Sequence, residues 1–272
     1  MYFTKSENRY TVINYVFIGD RHKPVILFLH GFMGSLSDFA EVAELLKKDF
    51  CSLLIDLPGH GKTEVNCDRD YQMPAVAIAI IDLLQQLAIE KCFLVGYSMG
   101  GRLALYLAVY FPQYFQKVIL ESASPGLEDK LEREKRIQHD LKIANRLQSL
   151  DLAVFLQQWY SNPLFIYFRK HPNYSWAISN RLKNDSVKLS KSLIHMGLGV
   201  QPSLWQHLPS IQLPILLIVG KLDSKFILVN QKISSLSPRF QIEIVENTDH
   251  NVHFERASDF TRILKEFLVD RI

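Results

Sequence analysis

The sequence predicts an α/β protein, a doubly wound and mostly parallel sheet with a helical cap inserted between late strands. Three observations predict it. Short apolar runs bounded by Gly, Pro or Asp alternate with longer stretches of three-and-four apolar spacing, the pattern of buried parallel strands joined by crossover helices. From about Pro125 to Pro209 that alternation stops, and the chain turns helical and rich in charge and aromatics. A serine between two glycines, in "GYSMGGR" at 96–102, directly follows one apolar run and precedes a helical pattern.

The elements follow in order. "YTVINYVFIG" alternates and then runs apolar, and "PVILFLHG" is a continuous buried-strand signal. "CSLLIDLPG", "KCFLVGYS", "KVILES", "LPILLIVGKLD" and "FQIEIVENTDH" continue in the same style and read as central strands. Between them, "SDFAEVAELLKK" opens with Ser and Asp. "MPAVAIAIIDLLQQLAI" carries Pro74 near its start, where a missing amide costs little. "GGRLALYLAVYF" stops ahead of Pro112, and "ASDFTRILKEFLVD" closes the chain. Right-handed crossovers then give a core from residues 1–124 and 210–272, with residues 125–209 as the cap. Ligands of such sheets bind at the carboxyl ends of the strands, so the cap roofs the site.

Composition narrows the function classes. A chain of 272 residues, 48% apolar and 22% charged, can bury one large core, and no linker or fixed-period repeat divides it. No apolar run approaches the roughly 18 residues of a membrane span. The start, "MYFTKSENRY", lacks the basic-then-apolar pattern of a secretory signal, so a cytoplasmic location is expected. Cys51, Cys67 and Cys92 form no CxxC pair and read as buried thiols in a reducing compartment. A net charge of +3 is too mild for a nucleic-acid partner. The stretch from Pro125 to Trp205 nevertheless holds twelve Lys/Arg against seven Asp/Glu. An anionic small molecule fits that imbalance, and a solvated helix face would also produce it.

Gly96-Tyr97-Ser98-Met99-Gly100 has the form of a nucleophile elbow, strand before and helix after. Ser98 needs a base, and the base an orienting acid. Among nine histidines, His250 in "ENTDHNVHFE" follows the last strand-like run on the same sheet edge as Ser98, and His253 is its rival. For the acid, Asp223 in "GKLDSKF" follows the penultimate strand, with Asp56 and Asp249 as alternatives. Asp56 is expected to brace the loop around His60, and Asp249 to point away from His250. "LFLHGFMGS" places a glycine-rich loop after an early strand, so the amides of Phe32 and Met99 are the expected oxyanion hole. Arg102, one helical turn beyond Ser98, offers a planar fork to a carboxylate, or a structural ion pair.

The four motifs in order resemble the α/β-hydrolase superfamily over nearly the whole chain. "GYSMGGR", "ESASPGL", "WYSNPLF", "VQPSL", "GKLDSKF" and "DHNVHFE" together resemble the 2-succinyl-6-hydroxy-2,4-cyclohexadiene-1-carboxylate synthases of menaquinone and phylloquinone biosynthesis. The resemblance implies a lyase without cofactor or metal that removes a ring proton and expels pyruvate from an enolpyruvyl precursor. It implies Ser98, Asp223 and His250 as the triad, with Phe32 and Met99 giving the oxyanion amides. Arg102, Arg136 and Arg181 would clamp the carboxylates of a polyanionic substrate, with Tyr97 and Trp159 lining the pocket. Arg133 lies three residues from Arg136 on one helix face and competes with it, while Glu132 stands at helical spacing as an ion-pair partner for Arg136. Asp249 stands where the family often has glycine. The alternative activity is a carboxylesterase or carbon–carbon hydrolase of a small acidic substrate, and a non-catalytic receptor would keep the pocket alone.

Overall fold

The computed structural model describes residues 11–269, so the polar start lies outside the described residues. Seven strands form one sheet in the order β1-β3-β2-β4-β5-β6-β7. They are β1 (Tyr15–Ile18), β2 (Val25–Leu29), β3 (Cys51–Ile55), β4 (Cys92–Tyr97), β5 (Phe115–Glu121), β6 (Ile215–Gly220) and β7 (Phe240–Val245). All neighbouring pairs from β3 to β7 are parallel, and β1 runs antiparallel to β3 with Tyr15 opposite Ile55.

The reading of "FQIEIVENTDH" as a central strand is corrected, since β7 lies at an edge of the sheet, as β1 does. The link 19–24 is too short for a crossover helix, so the chain must return antiparallel. β1 therefore becomes an edge, where Tyr15 and Val16 are exposed. β7 forms the opposite edge, and its Gln241 and Glu243 face solvent between less exposed neighbours.

The helices are α1 (Ala40–Leu46), α2 (Met73–Gln86), α3 (Met99–Tyr110), α4 (Lys130–Ser149), α5 (Leu152–Tyr160), α6 (Ile166–Lys170), α7 (Tyr174–Arg181), α8 (Ser186–Met196), α9 (Ser224–Ser234), α10 (Val252–Glu255) and α11 (Ala257–Val269). Successive strand side chains point to opposite faces. Leu27, Leu94 and Leu120 accordingly pack with Ile80 of α2 and Leu103 of α3. Ile26, Val95 and Ile119 pack on the other face with Val42 of α1 and Leu264 of α11. Pro74 sits in the first turn of α2, and α3 ends before Pro112.

Helices α4 to α8 all fall between β5 and β6. Asp129, Asp151 and Asp185 cap α4, α5 and α8 by accepting first-turn amides, each contributing about 1 kcal/mol. Their apolar faces make a third cluster, with Ile143, Phe155, Phe168 and Leu189 around Met33 and Phe254. Met33 follows β2 and Phe254 follows β7, so this cluster sits over the carboxyl ends of the strands. Cys51 and Cys92 are buried, whereas Cys67 is exposed in the loop before the 3-10 turn Asp68–Tyr71. Among the described residues no helix is long and apolar enough to cross a membrane.

Candidate active site

β4 ends at Tyr97, and the chain reverses into α3 at Ser98, whose φ of 50° and ψ of −106° lie where a side chain is strained. The bend needs its two glycines. A Cβ on Gly96 would strike the Gly100 carbonyl, and one on Gly100 would strike those of Leu29 and His30. The Ser98 amide is tied to the Glu121 carbonyl oxygen on β5 at 2.8 Å, which holds the elbow against the sheet.

Ser98 Oγ lies 3.1 Å from His250 Nε2, and His250 Nδ1 lies 2.6 Å from Asp223 Oδ2. An ionised carboxylate only accepts, so Nδ1 carries the proton and Nε2 is free to take one from the serine. Asp223 also caps α9 by accepting the Phe226 amide at 3.3 Å, which pins the carboxylate. The rings of Tyr97, Phe165 and Phe226 surround the imidazole, which is only 5% exposed.

The rival groups are engaged elsewhere. His253 places Nδ1 2.7 Å from Glu121 Oε2, donates its amide to Oε1 at 3.0 Å and stacks on Phe39. Asp56 accepts the amides of Leu36 and Lys62 at 2.7 and 2.9 Å, bracing the loop as expected. Asp249 departs from expectation, because its carboxylate turns back rather than away. Oδ1 accepts the His250 amide at 2.6 Å, and Oδ2 accepts the Tyr167 amide of α6 at 2.9 Å. A buried carboxylate must find donors, and these amides are within reach. Beside it, Glu255 Oε2 accepts the Asp249 amide at 2.9 Å. Burial, reinforced by the Asp249 carboxylate, pushes the Glu255 carboxyl well above its ordinary range.

Phe32 and Met99 border the same cavity as Ser98. Among the described residues, neither of their amides donates to an acceptor. The loop after β2 is held through the next residue, Met33, which has a positive φ of 63°. Its amide donates to His60 Nε2 at 3.0 Å, and its carbonyl accepts from Asn184 Nδ2 at 3.0 Å. His60 must therefore be neutral, with Nδ1–H directed to the Pro58 carbonyl oxygen at 3.2 Å. Burial, and then neighbouring His30, push its pKa well below 6.5. His30 is likewise lowered, mainly by burial, and accepts the Leu57 amide at 2.9 Å.

The cavity holds about 340 Å³, and all five expected substrate-facing side chains, Tyr97, Arg102, Arg136, Trp159 and Arg181, border it. Side chains that sequence reasoning missed line it as well, among them His139, Asn162 and Lys225. Arg133 instead lines a separate cavity of about 690 Å³ beside His195 and donates to the Gly199 carbonyl. Of the two competing arginines, Arg136 is the one that borders the Ser98 cavity. Its partner is not Glu132 but Asp140, one turn on, at 2.8 Å.

The three arginines are unequal. Arg102 donates to the side-chain carbonyl of Gln201 at 2.5 Å and the main-chain carbonyl of Met196 at 3.1 Å, both neutral acceptors. Among the described residues no carboxylate pairs with it. Burial, and then Arg136, lower its pKa to about 10, with the Asp140 carboxylate offsetting them only in part, so it stays charged at neutral pH. The expectation that Arg181 clamps a substrate carboxylate meets a guanidinium that is already occupied. Nε donates to the Tyr160 hydroxyl at 2.5 Å, Nη1 to the Ala177 carbonyl and Nη2 to Asp38 at 3.3 Å. Burial alone would lower its pKa, but Asp38 and Tyr160 outweigh burial and raise it. Among the described residues no cluster of three His, Cys, Asp or Glu side chains is disposed to hold a metal ion.

Comparison with known proteins places this arrangement. Residues 24–257 match the family described as alpha/beta hydrolase fold. The 2-succinyl-6-hydroxy-2,4-cyclohexadiene-1-carboxylate synthase of Serratia proteamaculans is 32% identical, over 93% of this chain and 96% of that protein. A Bacillus subtilis protein provisionally given the same name is 37% identical, over 92% of both chains. The solved structure of MenH from S. aureus superposes with a TM-score of 0.89 at 29% identity, covering 93% of this chain and 97% of that one. The chain belongs to the α/β-hydrolase fold family and, within it, to the 2-succinyl-6-hydroxy-2,4-cyclohexadiene-1-carboxylate synthases.

Proposed function

We propose that the protein eliminates pyruvate from 2-succinyl-5-enolpyruvyl-6-hydroxy-3-cyclohexene-1-carboxylate, giving the succinyl-hydroxycyclohexadiene carboxylate of menaquinone or phylloquinone biosynthesis. Among the described residues, the core is 11–124 and 210–269, and residues 125–209 form the cap over the site. The reaction proceeds in the cytoplasm.

The carrying observation is Arg102, a partly buried guanidinium that borders the Ser98 cavity and donates only to neutral acceptors. A substrate carboxylate supplies the missing counterion through charge-assisted hydrogen bonds. A neutral ester would leave that charge unbalanced. Arg136 provides a second cation, tempered by Asp140. Arg181, already paired with Asp38, contributes its field and the cap–core tie more than a free fork.

Ser98 acts as a proton carrier rather than an acylated nucleophile. His250 takes the serine proton, held in its tautomer by Asp223, and the oxygen removes the ring proton next to the succinyl carbonyl. The electron pair passes to that carbonyl oxygen, where the Phe32 and Met99 amides hold the charge. It then forms the second ring double bond as the carbon–oxygen bond to the enolpyruvyl group breaks. The group leaves as the enolate, which takes at its methylene carbon the proton gathered by the Ser98–His250 pair and becomes pyruvate. General base catalysis contributes roughly 10²–10⁴-fold, and charge stabilisation by the amides a further 10²–10³-fold or so per donor.

The test supplies the precursor made by the upstream enzyme and follows pyruvate. Wild type is expected to release it stoichiometrically, and Ser98→Ala to lose activity by roughly three orders of magnitude or more. Fast turnover of aryl esters without pyruvate release, or a trapped acyl-serine with the natural substrate, would favour the hydrolase alternative.

A further inference from the structure

Asn184 lies in the link between α7 and α8 and is only 9% exposed. Its side chain joins three separate stretches of backbone. Nδ2 donates to the Met33 carbonyl at 3.0 Å and to the Arg181 carbonyl at 3.2 Å, and Oδ1 accepts the Gly61 amide at 2.8 Å. One buried amide thus connects the cap, the loop after β2 and the loop after β3.

The contact with Met33 matters because of where Met33 sits. A methionine with positive φ persists only when its surroundings over-determine it. Two restraints do so, His60 on its amide and Asn184 on its carbonyl. The His60 restraint comes from the core, and the Asn184 restraint from the cap. Together they fix the peptides on both sides of Met33, and the Phe32 amide lies one peptide upstream. Trp159 of the cap adds an edge-to-face contact with the Phe32 ring, centroids 5.9 Å apart. Other cap–core ties bypass this loop, among them the surface pair Lys191–Asp68 at 2.7 Å.

We propose that Asn184 is a positioning residue that couples the seating of the cap to the geometry of the oxyanion hole. The Phe32 amide reaches its working orientation only when the cap is docked through Asn184. The proposal rests on the reading of Phe32 as an oxyanion donor.

Asn184→Asp tests it with little change of shape. It keeps an acceptor for the Gly61 amide, loses the donor to Met33 and sets a negative charge against that carbonyl. Asn184→Ala removes both functions, and Lys191→Ala breaks a cap–core tie away from the loop. Pyruvate release by Asn184→Asp is expected to fall on the order of 10²-fold in kcat, with KM within about three-fold of wild type. A donor acting only as the negative charge develops should move turnover rather than ground-state binding. Amide hydrogen exchange across residues 30–36 should quicken in both Asn184 variants and stay at the wild-type rate in Lys191→Ala.

An unchanged exchange rate, a loss confined to KM, or an equal kcat loss in Lys191→Ala overturns the proposal. Should Asn184→Ala fail to fold, the aspartate variant carries the test. Should wild type release no pyruvate, the reading of the reaction has failed. Exchange across residues 30–36 then decides separately whether Asn184 clamps the loop.

Discussion

Arg102 carries a partly buried positive charge whose hydrogen-bond partners are two carbonyl oxygens. Carbonyls orient the guanidinium without neutralising it, which preserves its attraction for an incoming carboxylate. Gln201 is therefore a tuned choice, and Gln201→Glu provides a sharp test. A permanent carboxylate at this point would satisfy Arg102 within the protein. The expected result is a KM raised by roughly ten-fold or more, the loss of one charge-assisted interaction, with thermal stability maintained or increased. Pyruvate release measured against substrate concentration checks it. At this scale the sequence was informative wherever the chemistry is local. Ser98, Asp223 and His250 each stand at a strand end with a recognisable neighbourhood, and the structure brings them together. The occupation of Arg181 was not legible, because Asp38 lies 143 residues away. Asn184 left no signal for the same reason, since its partners are main-chain atoms of distant loops.

Two elements convert buried titratable groups into pH dependence, with opposite signs. In the loop after β2, Met33 donates to an unprotonated His60, whose folded pKa lies well below 6.5 while the unfolded chain titrates near 6.5. The stability this contributes is complete above pH 6.5 and is lost as pH falls toward the folded value. His60→Gln keeps an acceptor that does not protonate in this range. Its thermal midpoint should therefore fall less steeply than that of wild type between pH 7 and about 5, followed by circular dichroism. In α10, Glu255 behaves in the reverse sense. Its folded pKa is raised by burial beside Asp249, while the unfolded carboxyl ionises near 4.5. Its contribution is complete below 4.5 and is lost as pH rises. Glu255→Gln is neutral at every pH, so its thermal midpoint should exceed wild type by a few degrees or so at pH 8 and converge with it near pH 4.5. A midpoint lower than wild type at pH 8 would contradict this assignment.

For the molecule as a whole, the alternation of apolar runs and helical periods was enough to recover the sheet, its crossovers and the late helical insertion. That succeeded because a parallel strand buried on both faces leaves a continuous apolar run. β2 to β6 all carry it. At the rims the strands β1 and β7 were legible, but the edge position of β7 was not, because a strand with one side unpaired tolerates exposed and polar residues. The relative position of the cap helices was not legible either. Their contacts depend on pairings such as Phe168 with Phe254, which no local pattern announces.

Ser98 follows β4 in the middle of the sheet, while Asp223 and His250 follow β6 and β7 toward one rim. A rim strand is the first part of a sheet to fray. Loosening β7 would withdraw the imidazole while the interior strands kept their pairing. Heat or mild denaturant should therefore silence the enzyme before most of its ordered structure melts, and a nascent chain ending after β5 would hold a poised alcohol with nothing to deprotonate it.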